Sequence, residues 1–320
     1  MSSRAIYRQL CEKEPSIALF QQAWWLDATC GESGWDVALV QKGGEVHAAL
    51  PFQAVKRRGF TMIVQPRLTQ FLGPWIRSSG ATKAAEYGRQ KELLTALIDA
   101  LPIHDRYVQN WNPNVGNWLP FYWKGFNQST NYTYVLKDLA DIEKLWAGLQ
   151  GSVRTDIRRA QNRVGIAVEA NGSLEDFLNL NRLTFERQDK SQPYSTAFVG
   201  KIDTACSTRD CRRIFIARDA SGRAHSGIYL VWDANSAYYL MGGGDPELRS
   251  SGATSLCMWE AIRFAAGVTR SFDFEGSMIE PIERFFRAFG AVQTPYFRLS
   301  RTTSPLLRAV DAWRLLRGRR

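Results

Sequence analysis

Arg249-Ser250-Ser251-Gly252-Ala253-Thr254 lies between a strand-like run, Ala237-Tyr238-Tyr239-Leu240-Met241, and a helix-like run from Leu256 to Ala266. A glycine in a turn that opens a helix lets the backbone come close to a ligand, and the free N–H groups of the helix start favour an anion. The same hexapeptide stands 172 residues earlier, as Arg77-Ser78-Ser79-Gly80-Ala81-Thr82, ahead of a second helix-like run, Lys91 to Leu101. An identical pair of this length is rare by chance, so the surrounding sequence is read for a longer repeat. Val37-Ala38-Leu39-Val40, the turn Gly43-Gly44 and Glu45 to Leu50 mirror Ile214-Phe215-Ile216-Ala217, the turn Ser221-Gly222 and Arg223 to Ile228. Two copies of one αβ unit account for both matches.

At 320 residues the chain suits two domains of about 150 residues, each able to bury a core. Its 45% hydrophobic and 22% charged residues are those of a globular protein, and no run reaches the roughly 18 apolar residues of a membrane span. Met1 to Glu14 mixes Arg4, Arg8, Glu12, Lys13 and Glu14 without an apolar stretch, so no secretory signal is expected. Five cysteines, with only Cys206 and Cys211 close in sequence, give neither a disulfide framework nor a zinc pattern, and no metal is expected. The expected compartment is the reducing cytoplasm. The net charge of +10 is uneven: residues 301–320 hold six arginines against Asp311, interleaved with Leu306, Leu307, Val310, Trp313, Leu315 and Leu316. Such a basic amphipathic end suits the inner face of an anionic membrane, or else a closing helix that packs its apolar stripe on the body.

Strands are expected near Asp36–Val40, Val46–Ala54, Thr61–Gln65 and Tyr107–Trp111, with a helix at Lys91–Leu101 before the last. Asn110 to Pro120, rich in Asn, Pro and Gly, reads as a loop, and Tyr132–Leu136 as the strand that begins the second half. Two helices follow, Ile142–Leu149 and Val153–Val164, broken at Gly151, with Ser152 as N-cap and Gly165 as stop. In the second, Val153, Ile157, Ala160 and Val164 share one face, while Arg154 and Arg158 stack on another. The arginines can hold a phosphate or carboxylate, or simply form a solvated face. The whole reads as a mixed α/β protein: residues 1–130, residues 131–300 and a basic tail, 301–320.

The hexapeptide resembles the pyrophosphate loop of the GNAT acyltransferase superfamily, Gln/Arg-x-x-Gly-x-Gly/Ala, with Thr254 departing at the last position. Arg154-Thr155-Asp156-Ile157-Arg158-Arg159-Ala160-Gln161-Asn162-Arg163-Val164-Gly165-Ile166 is similar to a segment of the Fem peptidyltransferase group, and Phe272-Asp273-Phe274-Glu275-Gly276-Ser277 to that group's strand end. Fem proteins are tandem GNAT domains, which the internal repeat suggests independently. The chain lacks the long helical hairpin that several Fem enzymes insert for transfer RNA, and looks closer to Fem-like acetyltransferases found with bacterial surface-polysaccharide genes. The resemblance implies an α/β fold of two tandem acyl-CoA N-acyltransferase domains. The first would be degenerate and help shape the acceptor cleft. The second would hold acyl-CoA through Arg249, Ser251, Gly252, Ala253 and Thr254 at the pyrophosphate, and through Met241, Gly242 and Gly243 at the pantetheine arm.

Acyl transfer to an amine needs a held donor, a proton acceptor and a stabiliser for the oxyanion. The glycines of Leu240-Met241-Gly242-Gly243-Gly244 permit a bulge and a close backbone approach. Within one strand Asp273 and Glu275 would share a face, with Glu275 the leading candidate for the base and Asp273 beside it. Phe285-Phe286 stands where many GNAT proteins carry a tyrosine that protonates the leaving thiolate. His47 and His225, on matching strands, read as core residues. Trp24, Trp25, Trp75 and Tyr194 are core or interface anchors, or else stack on a sugar. Arg154, Arg158 and Tyr194 are the candidates for holding the acceptor, whether a small molecule or lipid-linked. Three functions follow: acyl transfer to an amine such as an amino sugar of an envelope polysaccharide precursor, peptidyl transfer from aminoacyl-transfer RNA, and non-catalytic binding of a polyanion or membrane.

Overall fold

The computed structural model describes residues 1–276 and 278–317. The chain divides into two compact units, Met1–Asn131 together with the chain from Pro295 on, and Tyr132–Thr294. Ser277 of the strand-end motif and residues 318–320 of the basic tail lie outside the described residues, as do the side chains of Leu315 and Leu316.

The first unit begins with helices α1 (Ser3–Lys13) and α2 (Ala23–Cys30), followed by β1 (Asp36–Lys42), β2 (Glu45–Arg57), β3 (Phe60–Val64) and β4 (Trp75–Ile76). Helix α3 (Lys83–Asp99), strand β5 (Arg106–Asn110) and the short helix α4 (Leu119–Trp123) complete its N-terminal part. Gly43 and Gly44, both at positive φ, turn β1 into β2. The 13-residue β2 pairs with β1 and β4 along its first half and with β3 along its second. Strand β5 then runs parallel to β3. Leu93, Leu94, Leu97 and Ile98 of α3 lie on Ala48, Leu50, Phe52, Ile63 and Tyr107, while Tyr7, Leu26, Trp35, Val37 and Trp75 form a second core under α1 and α2. Helix α3 starts at Lys83, directly after the first hexapeptide. That is earlier than its apolar periodicity, because its first two turns are largely exposed and are tied by the Ser79–Glu86 and Arg89–Glu86 hydrogen bonds, not by burial.

The second unit begins within β6 (Asn127–Leu136) and contains α5 (Ile142–Gly148), α6 (Gly151–Arg159), β7 (Ala167–Glu169), α7 (Leu174–Glu186) and α8 (Thr196–Ser207). It continues with β8 (Arg212–Arg218), β9 (Ala224–Trp232), β10 (Ser236–Gly244), α9 (Ala253–Ala265), β11 (Ser271–Asp273) and α10 (Glu280–Arg287). Within it the strand order is β6-β11-β10-β9-β8-β7, with β10 and β11 parallel and their neighbours antiparallel. The β8–β9 hairpin repeats the β1–β2 hairpin, as the sequence repeat requires. Helices α6 and α9 pack through Val153, Ile157, Ala253, Leu256 and Ile262 onto Phe215, Ile228, Leu230 and Phe272. Helix α7 covers Gly227 and Gly243, so it lies on the sheet's other face. Helix α6 runs on as a π-helical turn, Ala160–Val164, and stops at the left-handed Gly165. Strand β12 (Val292–Thr302), which begins at the end of the second unit, pairs with β5 through Arg298–Thr302 and leads into α11 (Pro305–Arg317).

The start of α9 is fixed by a close approach. Gly252 is left-handed (φ 82°), and a Cβ there would stand 2.2 Å from the carbonyl oxygen of Asp156 on α6. The packing of α6 on α9 therefore requires glycine independently of any ligand. Replacing Gly252 by Ala is expected to lower the unfolding free energy by about 2 kcal/mol or more, through backbone strain and contact together. Urea denaturation of the two proteins measures it, and equal midpoints would show that α6 gives way freely.

Candidate active site

Strands β10 and β11 pair over three residues only, Ser236–Tyr238 against Ser271–Asp273. Beyond them β10 continues along β9 to Gly244, with a bulge between Tyr239 and Met241, while β11 ends. The bulge thus falls at Leu240, ahead of the glycines and not within them. The two strands part here, and among the described residues Tyr239 to Met241 have no strand partner on the β11 side.

The glycines have packing reasons of their own. A Cβ at Gly242 would lie 1.7 Å from the Tyr239 hydroxyl, and one at Gly243 would lie 2.4 Å from the backbone nitrogen of Asn181 on α7. Side chains also close their backbone groups. Asn181 Nδ2 donates to the Gly242 carbonyl at 2.7 Å, Ser226 Oγ to that of Gly243 at 3.2 Å, and Gly244 N–H donates to Thr184 Oγ1 at 2.9 Å. The Oδ1 of buried Asn181 accepts from Tyr194 at 3.1 Å and from Gln192 at 2.9 Å. Tyr194 is thereby tied to the glycine strand through Asn181, a residue that the sequence reading did not single out. An asparagine inside an amphipathic helix carries no motif that would mark it.

After β11 the chain turns on two successive left-handed residues, Glu275 (φ 57°) and Gly276 (φ 53°). Glu275 is therefore not the alternate strand position expected of it, and a shared strand face does not relate it to Asp273. A turn relates them instead: Glu275 N–H donates to Asp273 Oδ1 at 2.7 Å, and Thr133 Oγ1 donates to the same oxygen. A non-glycine residue held left-handed costs on the order of 1 kcal/mol, which the surroundings must impose. Burial raises the Asp273 carboxyl to about 6 against the lowering effect of the Thr133 and Glu275 hydrogen bonds. Burial, and then the Asp273 charge, push Glu275 well above the ordinary carboxyl range.

Tyr239 lies on the stretch of β10 that continues past β11. Burial pushes its phenol up, and Cys257, Tyr194 and Glu275 act on it in the same direction. Its ring packs edge-on against Phe286 at 5.9 Å. The sequence reading sought a phenol on the helix after β11, where Phe285 and Phe286 stand. The structure brings one in from β10.

The loop itself is a single 3-10 turn, Arg249–Ser251, with Gly252 as N-cap of α9. Buried His225 joins it to the β8–β9 turn, with Nδ1 3.0 Å from Ser251 Oγ and Nε2 3.2 Å from Asp219 Oδ2. Burial raises the Asp219 carboxyl, but hydrogen bonds from His225, Arg223 and Ser221 outweigh it and hold the group at about 2. Ser251 Oγ accepts the Ala253 N–H at 3.3 Å. Among the described residues no acceptor meets the N–H groups of Thr254 and Ser255, and Arg249 is exposed without an ion pair.

The first hexapeptide has the same local build: Gly80 is left-handed, and Ser79 Oγ accepts the Ala81 N–H at 3.3 Å. It also holds an anion of its own. Ser79 Oγ donates to Glu86 Oε2 at 2.5 Å, and Arg89 pairs with Glu86 at 2.6 Å. The hydrogen bond from Arg89 first, then those from Ser79 and Gln90, keep this carboxyl at about 2 despite some desolvation.

Of the remaining candidates, Arg154 gives Nη1 to the carbonyls of Ala147 (2.9 Å) and Leu149 (2.6 Å), closing the end of α5. Arg158 lies over the Trp146 ring at 5.9 Å. Both belong to α6, the helix that abuts Gly252, but these contacts join them to α5 and not to the parted strands.

Residues 150–287 match the family described as an acetyltransferase (GNAT) domain. No curated protein matches the chain in sequence. Among solved structures, the chain is similar to FemX, with a TM-score of 0.68 at 13% identity over 93% of this chain and 96% of that one. It is also similar to L-PGS from Bacillus licheniformis, with a TM-score of 0.55 at 10% identity over 97% and 96%. A tandem GNAT protein from the clavulanic acid biosynthesis pathway gives 0.52 at 13% identity over 94% of each chain. The chain thus has the tandem-GNAT, Fem-like fold and carries a GNAT acetyltransferase domain in its second unit.

Because Asp273 titrates higher folded than unfolded, it contributes stability that is complete below about pH 4 and lost as pH rises through about 6. Asp273→Asn keeps an oxygen for Thr133 and for the Glu275 N–H but removes the buried charge. The variant is expected to be more stable than the parent by on the order of 2–3 kcal/mol at pH 8, and to lose that advantage at pH 4. Denaturation at the two pH values measures it, and an equal difference at both would show that Asp273 is not buried as a charge.

Proposed function

We propose that the second unit transfers an acyl group, in the first place acetyl from acyl-CoA, to an amine such as that of an amino sugar in an envelope polysaccharide precursor. The observation that carries this reading is the parting of β10 from β11, with Asp273 and the Glu275 turn at the end of β11 and Tyr239 on the stretch of β10 that continues past it. The donor's diphosphate is met by the open N–H groups of Thr254 and Ser255 and by Arg249, at the start of a helix whose dipole favours an anion. Glu275 or Asp273 accepts the ammonium proton, each being raised toward the pH at which an amine must be deprotonated. As the amine attacks the thioester carbonyl and the C–S bond breaks, Tyr239 supplies a proton to the leaving sulfur. Its raised pKa keeps the phenol protonated until then.

One observation favours a second donor, the aminoacyl-transfer RNA implied by the Fem resemblance. The Gly242 carbonyl and both backbone groups of Gly244 are already bonded by Asn181 and Thr184, so an extended pantetheine arm would find fewer partners along β10. Calorimetric titration with acetyl-CoA and with aminoacyl-transfer RNA over a salt series separates the two donors, since ionic binding to nucleic acid collapses with salt.

With whichever donor binds, Glu275→Gln is expected to lower turnover roughly 100-fold or more while donor affinity is kept, and Tyr239→Phe by about 10-fold or more. Steady-state rates and the titrations check both. An acidic limb of the rate profile that stays centred near pH 6 in Glu275→Gln would assign the base to Asp273. Full turnover in folded Glu275→Gln and Tyr239→Phe would remove both residues from the chemistry.

A further inference from the structure

Two short helices of the first unit are each clamped on one side and leave apolar side chains on the other. Helix α4 is anchored by buried Pro120 and by Phe121, whose ring packs against Trp111 at 4.7 Å and Phe126 at 4.8 Å. Its other residues face water: Tyr122 is 59% and Trp123 58% exposed. Helix α11 is held by the Arg106–Asp311 ion pair, by half-buried Leu307 and Val310, and by Ser304 Oγ at its first turn. Leu306 and Trp313, two turns apart on one face, are 62% and 52% exposed. Neither the core nor the catalytic proposal uses these side chains.

The same stretches are neighbours around Arg301. Its Nη1 donates to the Lys124 carbonyl at 3.2 Å, just after α4, and its Nη2 lies 2.9 Å from His104 Nε2 in the loop before β5. Thr303, leading into α11, donates to the His104 carbonyl at 2.7 Å. Ile103, beside His104, is 97% exposed, the most water-facing large aliphatic side chain after β2 among the described residues. Cations accompany the aromatics: Lys91 Nζ lies 5.4 Å from the Trp123 ring and Arg317 4.1 Å from that of Trp313, with Arg308 and Arg314 exposed on α11. Of the nearby acids, Asp99 pairs with Lys124 and Asp311 with Arg106, while Asp105 accepts the Thr61 N–H at 2.8 Å.

We infer that this surface, formed by α4, the Ile103 loop and α11, docks on an anionic lipid bilayer. Indole and phenol rings with an apolar body and a polar edge suit the headgroup level, aliphatic side chains enter the acyl boundary, and arginine and lysine meet lipid phosphate. One helix of this length binds a membrane weakly, but three segments add their apolar area. A soluble polyanion such as RNA would engage the cations and gain nothing from Ile103 or Leu306. Among the described residues no helix is long and apolar enough to cross a membrane. The inference is independent of the donor and of the catalytic residues.

The test is co-sedimentation of the full chain with vesicles of phosphatidylcholine alone and of phosphatidylcholine mixed with phosphatidylglycerol, alongside tryptophan emission. Binding to the mixed vesicles only, with a blue shift, is expected. Trp123→Ser, Leu306→Ser and Trp313→Ser should each weaken it about 10-fold or more at an unchanged unfolding midpoint, and Arg314→Glu should do the same at low salt. Failure to sediment with the mixed vesicles at low salt would overturn the inference. So would sedimentation that RNA competes away and that the three apolar substitutions leave intact.

Discussion

Most of what can be said about the chemistry of this chain depends on a sheet that stops pairing. Two parallel strands that stayed together would bury the backbone of both and leave no room for a substrate. Here a bulge shifts β10 on its β9 side at Leu240, and two left-handed residues turn the chain out of β11 after Asp273. Both departures are local and both are held by their neighbours. Gly276 lies against β6 so closely that a Cβ would stand 2.2 Å from the Tyr132 carbonyl oxygen, and Gly243 lies against α7. The gap is therefore a rigid feature of the scaffold, and the groups beside it inherit a dry environment that shifts them toward their neutral forms.

The repeated hexapeptide and the repeated hairpin were enough to indicate two related αβ halves, because each is a local signal: a left-handed glycine ahead of a helix, and a tight turn between alternating strands. The residues that complete the gap were harder to see. Asn181 and Thr184 act through backbone groups of a strand about 60 residues away, and no periodicity connects them to it. Tyr239 stood in the sequence as one residue of a strand-like run, and only the absent side chain of Gly242 leaves room for its hydroxyl. Glu275 itself was expected in a strand because the residues before it, Ser271 to Phe274, alternate well. The strand ends two residues earlier than that pattern suggests, since Gly276 can follow it only by turning away.

Charged residues show the same limit. Arg154, paired by sequence with Arg158 as a possible anion clamp, spends its guanidinium on the last carbonyls of α5, a use that helix ends commonly make of arginine. His225 was read as a core residue for its place on a strand, and it is buried. Its position between Ser251 and Asp219 gives that burial a purpose, since it fastens the loop before α9 to the hairpin on which the helix packs.

Glu86 sets the two halves apart in a way that bears on how each responds to its surroundings. A carboxylate fixed one turn along the helix that it serves is present at an effective concentration that no dissolved anion approaches, so the first loop is permanently saturated. Its order owes nothing to metabolite supply. The second loop has no such internal occupant, and any stability it draws from an anion is set by mass action, rising with the logarithm of ligand concentration. Within a single chain, then, one loop has a fixed thermal tolerance, while that of the other would follow the concentration of any anion that binds it.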